Sequence, residues 1–321
     1  MRKFFNSKSK LISAFAIVLV LFLIFLSMNQ TTAAEYSSRL YTPTYTAKIG
    51  DHYFIVDCWN HRIIYNDDID TDIKNWSTLD NDIAGPHSIA SDSELYVAED
   101  TGRNKLFVYT LTADGFKKTQ IIDDIAGRPH RTIYDPSTEK FYVLTSTSQN
   151  MYVLSNQNGK LVIDKQVHLA FLEQTYTRSF SIIDDKMYFV SGPNKITIVD
   201  YINKDFEVAM QYDVPQEYSA MNDIFKIDDY YYISSYPEKL IRLKELSRFD
   251  SAENIYDELQ FKGTPYYFST FDNKFYVTEI DSHSGIKSFT IQNGSISDVE
   301  TINDSGPADD LVLQRKSELP T

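Results

Sequence analysis

Two histidines stand at matching places in neighbouring stretches of the chain, Gly85-Pro86-His87 and Arg128-Pro129-His130. Imidazole nitrogens bind metal ions and exchange protons near neutral pH. Arg131 and Arg178 carry planar guanidinium groups that suit a carboxylate or an oxyanion. Tyr266 adds a phenol able to act as an acid or a base. These residue types indicate anion binding or acid–base chemistry, provided that the fold brings them together.

Oxygen ligands form a second set. Asn222 and Asp223 accompany the histidines as candidates for one ligand-binding channel, and His87, His130 and Asp223 are candidate metal ligands. Glu99 and Glu279 each end an aromatic strand, as Asp57 does, and such carboxylates suit a hard cation such as Ca²⁺. The sequence therefore predicts either no cofactor or a bound divalent metal ion.

A structural role is the alternative for both sets. Pro-His can simply open a strand, and no third matching histidine follows in the later repeats. Short polar side chains often cap tight loops. Asp57 would then bond to Asn60 and Arg62, and Glu99 would bond to Asn104 and Lys105.

An aromatic strand core recurs through the chain and sets where these residues lie. Its anchors are 42 to 46 residues apart: Phe54, Tyr96, Tyr142, Tyr188, Tyr232 and Tyr276. An aspartate stands four residues before four of the anchors, at Asp92, Asp184, Asp228 and Asp272. Asp-Gly or Asn-Gly follows three anchors at hairpin distance, at Asp114-Gly115, Asn158-Gly159 and Asn293-Gly294. Each repeat is thus predicted to contain four short strands.

Six such repeats predict an all-β chain folded as a six-bladed β-propeller of four-stranded antiparallel blades. The ring is expected to close by pairing of the N- and C-terminal segments, with residues 307–314 joining the first blade. Radial closure would direct the first strand of each repeat towards a central channel. His87, His130, Arg131, Arg178, Asn222, Asp223 and Tyr266 would then surround one axis.

The first repeats resemble NHL repeats, a propeller family named for an Asn-His-Leu triplet. The resemblance rests on Asp57-Cys58-Trp59-Asn60-His61-Arg62-Ile63-Ile64-Tyr65 and on the looser Glu99-Asp100-Thr101-Gly102-Arg103-Asn104-Lys105-Leu106. Propellers of this kind bind proteins or act as lyases and lactone hydrolases, so the resemblance implies no single function. Comparison with its lyases implies His87 and His130 as metal ligands or bases, with Arg131 or Arg178 holding an anion.

The N-terminal segment favours export. Basic residues precede an apolar run from Leu11 to Leu26, and Thr32-Ala33-Ala34 ends the segment. Residues 1–34 are therefore predicted to be a signal peptide, or an uncleaved membrane anchor, ahead of one propeller domain over residues 35–321. The protein is expected to be secreted or held at the cell surface, touching a membrane only through this segment.

Charge restricts the partners. The chain of 321 residues has 31 Lys and Arg against 45 Asp and Glu, a net charge of −14, which argues against nucleic acid. Two function classes remain. The first is a binding module for a protein, peptide or glycan. The second is a metal-assisted lyase or lactone hydrolase, with His130, Arg131, Arg178 and Tyr266 as catalytic residues.

Overall fold

The structure is a computed structural model that describes residues 17–20, 38–123, 125–192, 194–218, 220–307 and 309–317. The chain divides into two compact units, residues 1–39 with 72–74, and residues 40–71 with 75–321. In the first unit residues 17–20 are helical, and the rest of the predicted signal or anchor lies outside the described residues. Within the described ranges, no helix combines the length and apolar character needed to cross a membrane.

The second unit contains six four-stranded antiparallel sheets, as the repeat predicts. The strands of the first three are β1 Pro43–Ile49, β2 His52–Asp57, β3 Arg62–Asn66 and β4 Ser77–Asp80; β5 Ile89–Ser91, β6 Leu95–Asp100, β7 Lys105–Thr112 and β8 Gly115–Ile122; β9 Pro129–Asp135, β10 Lys140–Thr145, β11 Asn150–Asn156 and β12 Leu161–His168. Those of the last three are β13 Tyr176–Ile183, β14 Lys186–Gly192, β15 Lys195–Asp200 and β16 Glu207–Asp213; β17 Met221–Ile227, β18 Tyr230–Ser235, β19 Lys239–Leu243 and β20 Glu253–Asn254; β21 Thr264–Phe271, β22 Lys274–Ile280, β23 His283–Gln292 and β24 Ser295–Pro307.

Helices are few in the described part of the chain. Besides the helical residues 17–20, the α-helix α1 covers Asp310–Ser317, and the 3₁₀-helices cover Cys58–Asn60, Ile73–Asn75, Thr101–Arg103, Ala170–Leu172, Gln216–Tyr218 and Phe249–Ser251.

The first strands of the six sheets form a closed ring. Strand β1 packs beside β5, and the ring then runs through β9, β13, β17 and β21 back to β1. This ring confirms the six-bladed propeller, and it makes the N-terminal strand β1 the innermost strand of its blade.

Alternating side chains of each blade pack against opposite neighbours, because successive residues of a strand point to opposite faces. On β6, Tyr96 and Ala98 belong to a buried cluster shared with the first blade. Leu95 and Val97 on the same strand belong to a cluster shared with the third blade. The stability of the ring therefore comes from the apolar layers between blades.

The predicted turns lie where the sequence places them. Asp184 and Asp272 adopt positive φ between the first and second strands of their blades. Asn158-Gly159 and Asn293-Gly294 connect third and fourth strands, and all four of these residues also have positive φ. Positive φ suits Asn, Asp and Gly, which explains the recurrence of these residues at fixed offsets from the aromatic anchors.

The predicted pairing of residues 307–314 with the first blade is wrong. Strand β24 ends at Pro307 in the sixth blade, and α1 follows it. The two ends of the ring meet as neighbouring blades instead. The Thr42 amide donates to Oγ of Ser284 at 3.1 Å, and Oγ1 of Thr278 donates to the Thr44 carbonyl at 3.0 Å. Closure thus uses side-chain hydrogen bonds between complete blades rather than a shared sheet.

Candidate binding site at the mouth of the central channel

The innermost strands line two cavities at opposite ends of the channel. Their N-terminal residues surround a cavity of about 480 Å³, which we call the first cavity. Their C-terminal residues surround one of about 390 Å³, the second cavity. On β9, for example, His130 lines the first cavity and Arg131 lines the second.

His87 and His130 meet in the first cavity. Their rings stack with centroids 3.7 Å apart and an interplanar angle of 15°. Imidazole lone pairs lie in the ring plane, so two nearly parallel rings do not direct them at one point between the rings. The contact brings the predicted pair together in a geometry that does not suit a shared metal ion.

The hydrogen bonds of His130 fix its tautomer. Its Nδ1 lies 3.0 Å from the Arg178 carbonyl oxygen, which can only accept, so Nδ1 carries the proton. Nδ1 also lies 2.8 Å from the Tyr267 hydroxyl, which itself donates to the Arg178 carbonyl at 2.6 Å. Nε2 has no hydrogen-bond partner among the described residues and keeps its lone pair.

Both imidazoles are neutral at neutral pH. Burial, together with Arg128 and Arg178, lowers the pKa of His87 to about 3. Burial, the His87 ring and the same arginines lower the pKa of His130 well below its usual range. Tyr266 also lines the cavity, and burial raises its pKa well above the usual value, so it stays protonated.

Cations dominate the charged lining of the first cavity. Arg128, Arg178 and Lys316 line it, against Asp281 as the one acidic residue in the described lining. Arg178 lies over the Tyr176 ring at 5.0 Å, and no hydrogen bond to its guanidinium group is found within the described ranges. An acidic protein thus presents a basic opening to its channel.

Four polar atoms of residues that line the cavity have no hydrogen-bond partner among the described residues, namely Oγ1 of Thr42, Nδ1 of His87, Oδ1 of Asn222 and Oδ2 of Asp281. Asn222 is 0% exposed, and its amide nitrogen donates to the Pro265 carbonyl at 2.9 Å. This leaves Oδ1 as an acceptor at the cavity wall. Buried polar atoms are nearly always paired, so such an atom suits a ligand that donates a hydrogen bond.

The remaining predicted site residues lie elsewhere. Arg131 faces the second cavity, away from His87. Asp223 is fully buried and accepts bonds from the Ser179 and Ser181 hydroxyls and from the Phe268 amide. Its carboxylate therefore ties three innermost strands together and is not part of the first cavity.

The carboxylates that end the aromatic strands do not form the predicted cation site. Glu99 accepts from the Ser88 hydroxyl at 2.6 Å, while Glu279 accepts from the amides of Lys262 and Gly263. The described residues contain no group of three or more His, Cys, Asp or Glu side chains able to hold a metal ion. His87, His130 and Asp223 therefore do not form the predicted ligand set, and neither do Glu99 and Glu279.

Loop capping explains the acids better. Asp57 accepts from Asn60 and Arg62, both at 2.8 Å, as the capping interpretation predicts, and from the Tyr41 amide at 2.6 Å. The predicted partners of Glu99 are wrong, because the equivalent of Asp57 is the next residue, Asp100. Asp100 accepts from Arg103 at 2.6 Å and from the Ala84 amide, which precedes it by 16 residues as Tyr41 precedes Asp57.

Sequence reasoning missed part of the opening. Tyr176 and Tyr236 line the first cavity and are 37% and 40% exposed, so their rings are available to a ligand. Lys316 reaches the cavity from α1 and lies over the Trp59 ring at 4.0 Å. No spacing signal marked these residues: Tyr176 begins β13, Tyr236 follows β18, and Lys316 lies in α1, a helix that the sequence did not predict.

Comparison with known proteins adds information on the fold. No family model matches the chain. No curated protein matches it either. Among solved structures, a protein from Lactobacillus plantarum is similar with a TM-score of 0.59 and 15% identity, over 83% of this chain and 86% of that chain.

Two further structures are described as a "putative 6-phosphogluconolactonase". The protein from Bacteroides uniformis has a TM-score of 0.58 and 12% identity, over 82% of this chain and 86% of its own. The protein from Bacteroides fragilis has a TM-score of 0.57 and 11% identity, over 82% and 85%. At such identities the likeness shows the propeller fold alone.

Proposed function

We propose that the protein is a binding module whose first cavity takes an acidic glycan end. The observation that carries this proposal is the cationic lining. Arg128, Arg178 and Lys316 surround the cavity of a protein with a net charge of −14. Guanidinium groups without a hydrogen-bond partner among the described residues suit a carboxylate, which they bind through paired hydrogen bonds.

The rest of the lining supports a hydroxyl-bearing ligand. Oδ1 of Asn222 suits a hydroxyl donor, and the exposed rings of Tyr176 and Tyr236 offer flat apolar faces at the opening. A cavity of about 480 Å³ is within the usual size range of small-ligand sites. A uronic acid residue combines these features, because it carries one carboxylate, several hydroxyl groups and an apolar ring face.

Calorimetric titration with trigalacturonate tests the proposal, with neutral maltotriose as the matched sugar. We expect trigalacturonate to bind, to bind more weakly as salt is added, and to bind better than maltotriose. Arg178→Gln is expected to weaken binding about tenfold. Arg248→Gln, at an exposed arginine outside both cavities, is the control and is expected to leave affinity unchanged. Equal binding of the two sugars would refute the proposal.

Hydrolysis of a sugar lactone is the second candidate function, and the free Nε2 of His130 supports it. In this reaction Nε2 takes a proton from water as the oxygen attacks the lactone carbonyl, and Arg178 faces the resulting oxyanion. The ring C–O bond then breaks as the Tyr266 hydroxyl gives its proton to the leaving alkoxide and takes the proton held on Nε2, so the acid and alcohol are released with both side chains restored. The two Bacteroides proteins of similar fold are described as putative 6-phosphogluconolactonases, and that description, which applies to those proteins, agrees with this chemistry.

Titration of the acid released from glucono-δ-lactone measures this activity directly. His130→Gln is expected to abolish it while leaving trigalacturonate binding within about threefold. The proposed reaction is written without the predicted Ca²⁺ or other divalent ion, because the described residues contain no group of three or more His, Cys, Asp or Glu side chains able to hold one. Loss of activity on chelation would contradict the metal-free reaction.

We further propose that residues 1–34 direct the chain out of the cytoplasm, as a signal peptide or as an anchor. The support is the basic start, the apolar run and the small residues that end it. Sequencing the N-terminus of exported protein tests this, since cleavage after Ala34 would leave Glu35 first. Retention of the intact chain in the cytoplasm would refute export.

We also propose that the first two repeats are divergent NHL-type repeats. The turns after β2 and β6 share an acid cap and a left-handed residue, His61 with φ 52° and Asn104 with φ 57°. A family profile built from relatives of this chain tests the assignment, and failure of that profile to align these two turns would overturn it.

A further inference from the structure

Arg131 is a buried residue at the wall of the second cavity. The residue is 5% exposed, and no hydrogen bond or ion pair to any guanidinium nitrogen is found among the described residues. Leaving a buried charged donor unpaired is costly, because it has lost its water and gained no acceptor. Such a group at the wall of a cavity suits a ligand.

Aromatic rings hold the guanidinium in place. Its central carbon lies 4.4 Å from the centroid of the Tyr45 ring and 4.4 Å from that of the Tyr267 ring. Contact of the cation with two aromatic faces stabilises its charge and leaves the N–H groups at its edge unused. The orientation of the guanidinium plane is therefore fixed before any ligand binds.

Nearby carboxylates do not use these donors. Asp223 and Glu99 are close enough to favour the charged form of Arg131, but within the described ranges neither forms an ion pair with it. Asp223 accepts from Ser179 at 2.7 Å, and Glu99 accepts from Ser88 at 2.6 Å. The two carboxylates therefore offset the positive charge of Arg131 without forming hydrogen bonds to it. The N–H groups of its guanidinium remain available to a ligand.

Few other polar side chains in the described lining of the second cavity are available to bind a ligand. Ser269 lines it, is 7% exposed, and has a hydroxyl without a partner among the described residues. Asp135 also lines it, but its carboxylate already accepts from Ser137, Thr138 and Tyr201. Apolar and aromatic side chains supply most of the remaining wall: Tyr45, Ala47, Ile133, Tyr134, Ile182, Phe225, Phe268 and Phe271.

We propose that the second cavity is a separate binding site for an amphipathic carboxylate, with the carboxylate on Arg131 and an apolar or aromatic body against the ring-lined wall. The site is independent of the acidic-glycan site proposed above, since it lies at the opposite end of the channel. A carboxylate can accept two bonds from the guanidinium edge and one from the Ser269 hydroxyl.

Calorimetric titration of the full chain with 3-phenylpropanoate tests the site, with 3-phenylpropanol as the uncharged match. We expect the acid to bind at least tenfold more tightly than the alcohol, and Arg131→Gln to remove that preference. Ser269→Ala is a milder variant, expected to weaken binding of the acid about threefold. If Arg131→Gln does not fold, the affinity of Ser269→Ala for 3-phenylpropanoate tests the site in its place.

Arg178→Gln separates this site from the first cavity. It is expected to leave 3-phenylpropanoate affinity unchanged while weakening trigalacturonate, so either proposal can fail alone. Equal affinity for the acid and the alcohol would overturn the carboxylate site. Loss of 3-phenylpropanoate binding in Arg178→Gln, with retention in Ser269→Ala, would also overturn it.

Discussion

The Tyr267 hydroxyl lies 2.8 Å from Nδ1 of His130, and the same tyrosine ring lies 4.4 Å from the guanidinium carbon of Arg131. His130 lines the first cavity and Arg131 the second, so Tyr267 stands between the two. One side chain thus supports a histidine by its hydroxyl and an arginine by its ring. A substitution that removes only the hydroxyl of Tyr267 therefore separates its contact with His130 from its contact with Arg131.

Tyr267→Phe is expected to lower the free energy of unfolding by about 1–2 kcal/mol, because the hydroxyl bonds to His130 and Arg178 are lost in a buried place. The ring stays over Arg131, so affinity for 3-phenylpropanoate should be retained. Urea unfolding and calorimetric titration measure the two effects. Tyr134→Phe is the control, since the described residues offer its hydroxyl no partner. An equal loss of stability in both variants would contradict this role of the Tyr267 hydroxyl.

The fold was predictable because it repeats. An aromatic anchor such as Tyr96 recurs in every blade, and Asn158-Gly159 marks a turn that only a few residue types adopt readily. Closure of the ring was not predictable in the same way. It depends on the side chains of Ser284 and Thr278, and the prediction that residues 307–314 join the first blade was wrong.

The candidate site was predicted in part. The repeat correctly brings His87 and His130 together, since they occupy equivalent places on adjacent blades. It does not show that consecutive residues, such as His130 and Arg131, point to opposite ends of the channel. The offset between Glu99 and Asp100 was missed for a similar reason. A slip of one residue changes the face of a strand, and the anchor aromatics alone do not fix that register.

His87 makes stability depend on pH. Its pKa is about 3 in the folded chain, lowered first by burial, against an ordinary value of 6.5. Between pH of about 6.5 and 3, the folded state therefore binds fewer protons than the unfolded state. The free energy of unfolding decreases as pH falls through this range. We expect His87→Asn to lose less stability than the original chain between neutral pH and pH of about 5.

Urea unfolding of both chains at a series of pH values gives the comparison. The difference in unfolding free energy between variant and original should shift in favour of the variant as the solution becomes more acidic. Because burial also raises the pKa of carboxyl groups such as those of Asp57 and Glu99, only that difference is informative. A difference that stays constant with pH would show that His87 titrates alike in the folded and unfolded chains.

Asp57 is expected to matter much more for stability than an exposed acid. Asp57→Ala removes the acceptor for Arg62, Asn60 and the Tyr41 amide in a fully buried place, and should cost about 3 kcal/mol. Asp213→Ala is the control, because Asp213 is exposed and lies 3.6 Å from Lys195, so its removal should cost less than about 1 kcal/mol. Similar melting temperatures for the two variants would show that Asp57 does not cap its loop in solution.

Ring closure is tested at Ser284. Ser284→Ala removes the acceptor for the buried Thr42 amide, and should raise the hydrogen-exchange rates of β1 amides before those of other innermost strands. The reason is that the first and last blades then share fewer hydrogen bonds, while the blades themselves stay intact. Ser155→Ala is a matched control, since Ser155 is also buried but bonds to Asp164 within the third blade. If exchange rises uniformly in Ser284→Ala, or rises in β1 equally in both variants, closure does not depend on this contact.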